Sequence, residues 1–199
     1  LRVMSKSGCR PFCLTRDGLV QGEGSAVFVL EDFDFAAARG ANILAEIIGC
    51  SMTSDGNDLL SPSLEGVHRA IVRSLEDAHI SSDLVDYINA HGTGTKINDY
   101  IEASAISLVF SDSMDAPLVS ATKSMHGHVM GASGAIELLS CIYALNHNVV
   151  VPTIGFLKDD PSIKINLIQN ESREARIDIA MSNAFAFGGL NSVLVLKSV

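Results

Sequence analysis

The chain has no run approaching about 18 consecutive apolar residues, which excludes a helix able to cross a membrane. Its opening, Leu1 to Arg10, lacks the basic-then-apolar order of a signal peptide and does not start with Met, so the chain is expected to begin inside a larger protein. Cations are scarce: 14 Lys and Arg face 23 Asp and Glu, a formal net charge of -9. Nucleic acid binding needs clustered cations against phosphate, and an anionic membrane surface would repel this balance, so neither partner is expected. Cysteine is sparse as well. Cys9, Cys13, Cys50 and Cys141 are scattered through a chain too long to need staples, and they read as reduced thiols of a cytoplasmic protein. Repeats, linkers and low-complexity segments are also missing. The 199 residues, 47% of them hydrophobic, therefore read as one region with a sizeable buried core.

What is present is an alternation of strand-like and helix-like segments. Gly24–Glu31 (GSAVFVLE) and Ile43–Cys50 are short apolar runs that predict buried strands. Leu64, Val67, Ile71, Leu75 and Ala78 recur at spacings of three and four, which predicts a helix with Ser63 as its N-cap. Tyr87–Ala90 is a short strand running into HGTGT, after which Asn98 or Asp99 would cap a helix through Phe110. Pro117–Ser120 is a strand leading into TKSMHGH, and Gly131–Asn146 is an apolar helix whose small first residues would allow close approach to a neighbour. Two alternating runs, Ile177–Ser182 and Ser192–Leu196, flank the turn FAFGGLN. Strands interleaved with helices indicate an α/β layered domain.

Three loops follow predicted strands and carry chemically capable residues: His91–Thr95, Lys123–His128 and Phe185–Gly189. Ligand sites of open α/β sheets gather at the carboxyl ends of strands. Two histidines and a lysine would supply donors for developing negative charge, and glycine-freed N–H groups another. HGTGTK does not match the phosphate-loop pattern G-x-x-x-x-G-K-[ST]. His126-x-His128 with His91 has no Cys or carboxylate at a familiar zinc spacing, so no metal is assigned.

NAHGTGT (Asn89–Thr95), KSMHGH (Lys123–His128) followed by GASGAIE (Gly131–Glu137), and SNAFAFGGLN (Ser182–Asn191) resemble the C-terminal half of β-ketoacyl synthases. CRPF (Cys9–Phe12) and RDGLVQGEG (Arg16–Gly24) look like the segment that follows the nucleophile in the same family. HGH and SNAFAFGG resemble its proteobacterial accessory subgroup, including the nodulation-type synthases. The resemblance implies a thiolase-like layered fold, here the C-terminal half alone, with residues 1–50 a connection from the N-terminal half and 51–199 the C-terminal half proper. It implies a decarboxylative Claisen condensation between an acyl thioester and malonyl-acyl carrier protein, in fatty acid or polyketide-type elongation.

Residue by residue, the resemblance assigns His91 and His128 to the malonyl thioester carbonyl, Lys123 to the surroundings of His91, and Glu137 to pairing with that lysine. Glu102 and Asn89 are candidates for the same polar cluster. Phe187 looks like the residue whose N–H completes the oxyanion hole and whose ring gates the acyl pocket, with Gly188 and Gly189 supplying unusual backbone angles. Thr93 and Thr95 look like the hydroxyls that bind the phosphopantetheine arm. No resident cofactor is implied beyond a monovalent cation held by some family members. Three positions depart from the family pattern: Ala186 replaces a usual Gly, implying a stiffer gate; Leu190 replaces a frequent Thr; and Cys13 stands where aspartate is commoner.

The family nucleophile is a cysteine in a small-residue context at a helix start, which none of the four cysteines has. The implied partners are therefore the missing N-terminal half, acyl carrier protein and a second copy in a homodimer, and the chain alone is expected to be inactive. Two alternatives remain open. One is a non-catalytic subunit resembling a chain-length factor; the other is a module that binds acyl carrier protein through cations near Arg10 or Arg69.

Overall fold

A computed structural model describes residues 3–110 and 116–199. In chain order the elements are α1 (Phe33–Ala38), β1 (Glu46–Ser54), α2 (Leu64–Ala78), β2 (Tyr87–Asn89), α3 (Lys96–Phe110), β3 (Leu118–Ser120), α4 (Lys123–His126), α5 (Ser133–His147), β4 (Val149–Val150), β5 (Asn166–Leu167), β6 (Arg173–Glu174), β7 (Ile179–Ala186) and β8 (Leu190–Lys197). Six strands form one sheet in the order β1-β8-β7-β2-β3-β5, and β4 pairs with β6 apart from it. The β1, β8 and β7 edge is antiparallel, whereas β7, β2, β3 and β5 run parallel.

Strand periodicity sorts the sheet into two faces. Ile88, Val119 and Met181 lie in register and pack with Val67 and Ile71 of α2 and Ala103 and Ile106 of α3. Tyr87, Leu118 and Ala180, one residue earlier, point the other way and pack with Leu138, Cys141 and Leu145 of α5. The sheet is thus a middle layer between α2 with α3 and α5. Next in register come Asn89, Ser120 and Ser182, a buried polar row at the carboxyl ends of β2 and β3 and midway along β7. Tyr87 and Ser120 hydroxyls pair at 2.8 Å along this face.

Helix α2 follows its predicted stripe: Val67, Ile71 and Leu75 are buried, and the Ser63 hydroxyl accepts the Gly66 N–H at 3.4 Å. The start of α3 differs from expectation. Neither Asn98 nor Asp99 caps it; the helix begins at Lys96, and the Asp99 carboxylate accepts N–H bonds from Phe12 and Gly94 instead. The apolar helix starts at Ser133, after a 3₁₀ turn over Met130–Ala132. The final two runs form the expected hairpin, longer by a few residues at each end of the turn.

One predicted strand is absent. Residues 24–31 join no ladder, and Val27, Val29 and Leu30 are 92%, 83% and 74% exposed. Ala26 and Phe28 are half-buried, so the alternation is real. A strand also needs a neighbouring backbone, and none of the described residues provides one there. The two-residue strands β4, β5 and β6 are too short to leave a periodic signal.

Candidate active site

The loops after β2 and β3 meet at Lys123, whose side chain is fully buried. An ammonium has three N–H donors. Here Nζ faces three acceptors: His91 Nδ1 at 3.1 Å, the His91 carbonyl at 2.6 Å, and the Glu137 carboxylate in direct contact. The ion pair with Glu137 is buried on both sides. Burial raises the Glu137 carboxyl, and Lys123 opposes that rise.

These contacts decide the state of the imidazoles. His91 Nδ1 meets a group that can only donate, so it is the unprotonated nitrogen and Nε2 carries the hydrogen. His128 Nδ1 accepts the Met130 backbone N–H at 3.1 Å, with the Ser133 hydroxyl at 3.0 Å, which enforces the same tautomer. The two rings stand edge to face, centroids 5.5 Å apart and planes at 85°. Burial, then the charge of Lys123, pulls His128 down to about 4 and His91 well below the ordinary imidazole range. Both are neutral donors near pH 7.

Carboxylates on α3 shape the backbone that carries His91. Glu102 accepts the N–H groups of His91 and Gly92, each at 2.8 Å, and Asn183 Nδ2 at 3.2 Å. Asp99, three residues earlier on the same helix face, takes Phe12 N–H at 2.8 Å and Gly94 N–H at 3.2 Å. Burial pushes these carboxyls up to about 7 and about 6. Gly92 sits at φ +41°, and a Cβ there would come within 2.4 Å of the Ala121 methyl, so only glycine fits the turn.

Of the residues singled out from sequence, His91, His128, Lys123, Glu137, Glu102 and Asn89 converge. Asn89 Nδ2 donates to the Glu137 carbonyl at 2.8 Å and to Thr122 Oγ1 at 3.3 Å. Thr93 and Thr95 lie next to this cluster with their hydroxyls 2.8 Å apart. Phe187 is 53% exposed in the β7–β8 turn, where Gly188 and Gly189 adopt φ of +83° and +73°. The aromatic ring against His91 is Phe185, at 5.6 Å. Asp99, Asn183 and Phe185 were not identified as site residues from sequence. The three-residue spacing of Asp99 and Glu102 and the two-residue spacing of Asn183 and Phe185 are the signals that mark them.

Cys9 and Cys141 are not activated thiols. Burial raises Cys9 to about 11 and Cys141 to about 12, and Cys141 is a core residue as expected. Cys13 is buried with Sγ near Thr15 Oγ1 and the Lys158 carbonyl. All four thiols are free. Among the described residues no helix is long and apolar enough to cross a membrane.

The chain is similar to known proteins over its whole length. The chain is 44% identical over its whole length to Nodulation protein E of Rhizobium sp. (strain N33), of which it covers 50%. It is 42% identical over 194 residues to 3-oxoacyl-[acyl-carrier-protein] synthase 2 of Staphylococcus aureus (strain COL), covering 96% of this chain and 47% of that one. The solved ishigamide ketosynthase/chain length factor superposes with a TM-score of 0.96 at 38% identity, covering all of this chain and 49% of the solved one. The fold is therefore that of thiolase-like ketosynthases, and the chain spans about half the length of the curated relatives it matches. With the beta-ketoacyl synthase C-terminal domain matched over residues 44–157, the chain belongs to the β-ketoacyl synthase family.

Proposed function

We propose that this chain is the half of a β-ketoacyl synthase that decarboxylates a malonyl thioester, completed by an upstream half that carries the cysteine nucleophile. The observation that carries the reading is the pair of neutral imidazoles, each with Nδ1 engaged and Nε2–H as donor, held beside a buried ammonium. When malonyl-acyl carrier protein loses carbon dioxide, the electron pair of the breaking C–C bond moves onto the thioester oxygen as an enolate. His91 and His128 donate to that oxygen, an interaction stronger in the transition state than in the substrate. The enolate carbon then attacks the acyl thioester, the new C–C bond forms, and the cysteine thiolate leaves.

Lys123 keeps the Nδ1 of His91 occupied and the local potential positive; it is not a nucleophile. The N–H of Phe187 completes the oxyanion hole for the acyl thioester, its ring gates the acyl pocket, and Thr93 and Thr95 bind the phosphopantetheine arm. Among the described residues Asn89 Oδ1 and Glu137 Oε2 are buried acceptors without a hydrogen-bond partner, oxygens of the kind a hard, monovalent cation would take. Residues 1–50 are the connection from the upstream half and 51–199 the C-terminal half, with β1 lying across their junction. The complete protein works in the cytoplasm as a homodimer on acyl carrier protein-bound chains of fatty acid or polyketide type. Retention of both histidines and the lysine favours an enzyme over a chain-length-factor-like subunit. The test is His128→Ala in the protein joined to its upstream half. Self-acylation continues and release of carbon dioxide from malonyl thioester drops on the order of 10²–10³-fold. Unchanged carbon dioxide release would remove His128 from the reaction.

A further inference from the structure

One histidine of the second loop takes no part in the chemistry above. His126 ends α4, between Lys123 and His128, and its ring is held at both nitrogens. Nδ1 lies 2.7 Å from the Gly127 carbonyl and Nε2 lies 3.2 Å from Thr122 Oγ1. A carbonyl can only accept, so Nδ1 carries the hydrogen and Nε2 is the acceptor, the reverse of His91 and His128. Burial lowers its pKa, which keeps the ring neutral at pH 7.

The consequence runs inward. Thr122 is 1% exposed and has one hydroxyl hydrogen, which His126 Nε2 takes. Thr122 Oγ1 is then left to accept from Asn89 Nδ2, whose other acceptor is the Glu137 carbonyl. Both contacts turn the amide so that its nitrogen faces them. Asn89 Oδ1, buried and without a partner among the described residues, is thereby presented as an acceptor; Glu137 Oε2 is a second such buried acceptor. Were Nε2 to carry a hydrogen, the Thr122 hydroxyl would have to direct its own hydrogen elsewhere, in competition with the amide. The segment cannot relax away: His128 N–H bonds the Val20 carbonyl at 2.7 Å, and a Cβ at Gly127 would lie 2.9 Å from Val20 O and Gly22 N.

We infer that His126 is a positioning residue which, as the Nδ1–H tautomer, sets Thr122 and through it the orientation of the Asn89 amide at the Lys123–Glu137 pair. Its kinetic arm rests on the decarboxylation reading above; its spectroscopic arm does not. The experiment uses the protein joined to its upstream half, comparing wild type, His126→Phe and His126→Gln, the last placing an amide where Nε2 lies. Long-range ¹H–¹⁵N spectra of histidine-labelled protein are expected to show His126 protonated at Nδ1. His126→Phe is expected to shift the Asn89 side-chain amide signals and lower kcat for malonyl thioester decarboxylation about 10-fold, the scale seen when groups supporting a site's ligands are removed. KM and self-acylation stay unchanged, and His126→Gln restores both readouts. A His126 protonated at Nε2 would overturn the inference. So would a His126→Phe variant that matches wild type, which would mean that the ring only fills space, or a His126→Gln variant that fails as badly as Phe, which would mean that an acceptor at the Nε2 position is not what orders Thr122. A wild-type protein releasing no carbon dioxide would sink the decarboxylation reading, while the tautomer and amide signals would still decide this one.

Discussion

The two faces of the sheet use their buried carboxylates differently. On the α3 side, Glu102 and Asp99 accept backbone N–H groups and shape the loop that bears His91. On the α5 side, Glu137 meets an ammonium and balances its charge. One face holds a backbone in place; the other holds a charge in a medium that would otherwise expel it. Damage to the first should mislocate His91, whereas damage to the second should change what can be ionised there.

The largest effect is expected from breaking the charge-bearing side. Glu137→Ala leaves the Lys123 ammonium buried without its counter-charge and should cost about 3–5 kcal/mol in chemical denaturation. Replacing both partners, Lys123→Met with Glu137→Leu, should recover most of that loss while leaving decarboxylation impaired; a double variant as unstable as the single one would refute the charge argument. The backbone-bearing side should cost less. Glu102→Gln keeps its shape but turns an N–H₂ toward an N–H donor, at about 1–3 kcal/mol. Its Lys123 should stay paired, so acylation of the upstream cysteine should continue while carbon dioxide release falls.

The smallest effect is a pH slope. His128 has a folded pKa of about 4, beneath its ordinary 6.5, so the unfolded chain takes up the proton first. Its contribution to stability is complete above pH 6.5 and is lost as pH falls from 6.5 towards 4. His128→Gln should therefore lose less melting temperature than wild type across that window. Equal losses would place a charged imidazole in the fold.

How far the sequence foretold this depended on the kind of signal. Periodicity marks α2, because burial of Val67 and Ile71 imposes spacings of three and four, and short apolar runs ahead of the loops mark β2 and β3, whereas β5 leaves no signal. Motif resemblance points to His91, Lys123, His128 and Glu137, side chains that the fold brings together. Residues 24–31 misled because their alternation matches a strand while no described backbone pairs with it. Asn98 or Asp99 reads as a cap, because a local rule cannot foresee that Phe12, far back in the chain, claims the Asp99 carboxylate. Phe185 was overlooked because its ring contact with His91 depends on how β7 lies against β2.

The proposed decarboxylation needs two imidazoles serving one oxygen. A double-mutant cycle of His91→Ala and His128→Ala, read as carbon dioxide release from malonyl thioester by the protein with its upstream half, addresses this directly. Strong coupling is predicted, with the double variant scarcely slower than the worse single one. Losses that simply add would assign the rings to separate tasks and contradict the account.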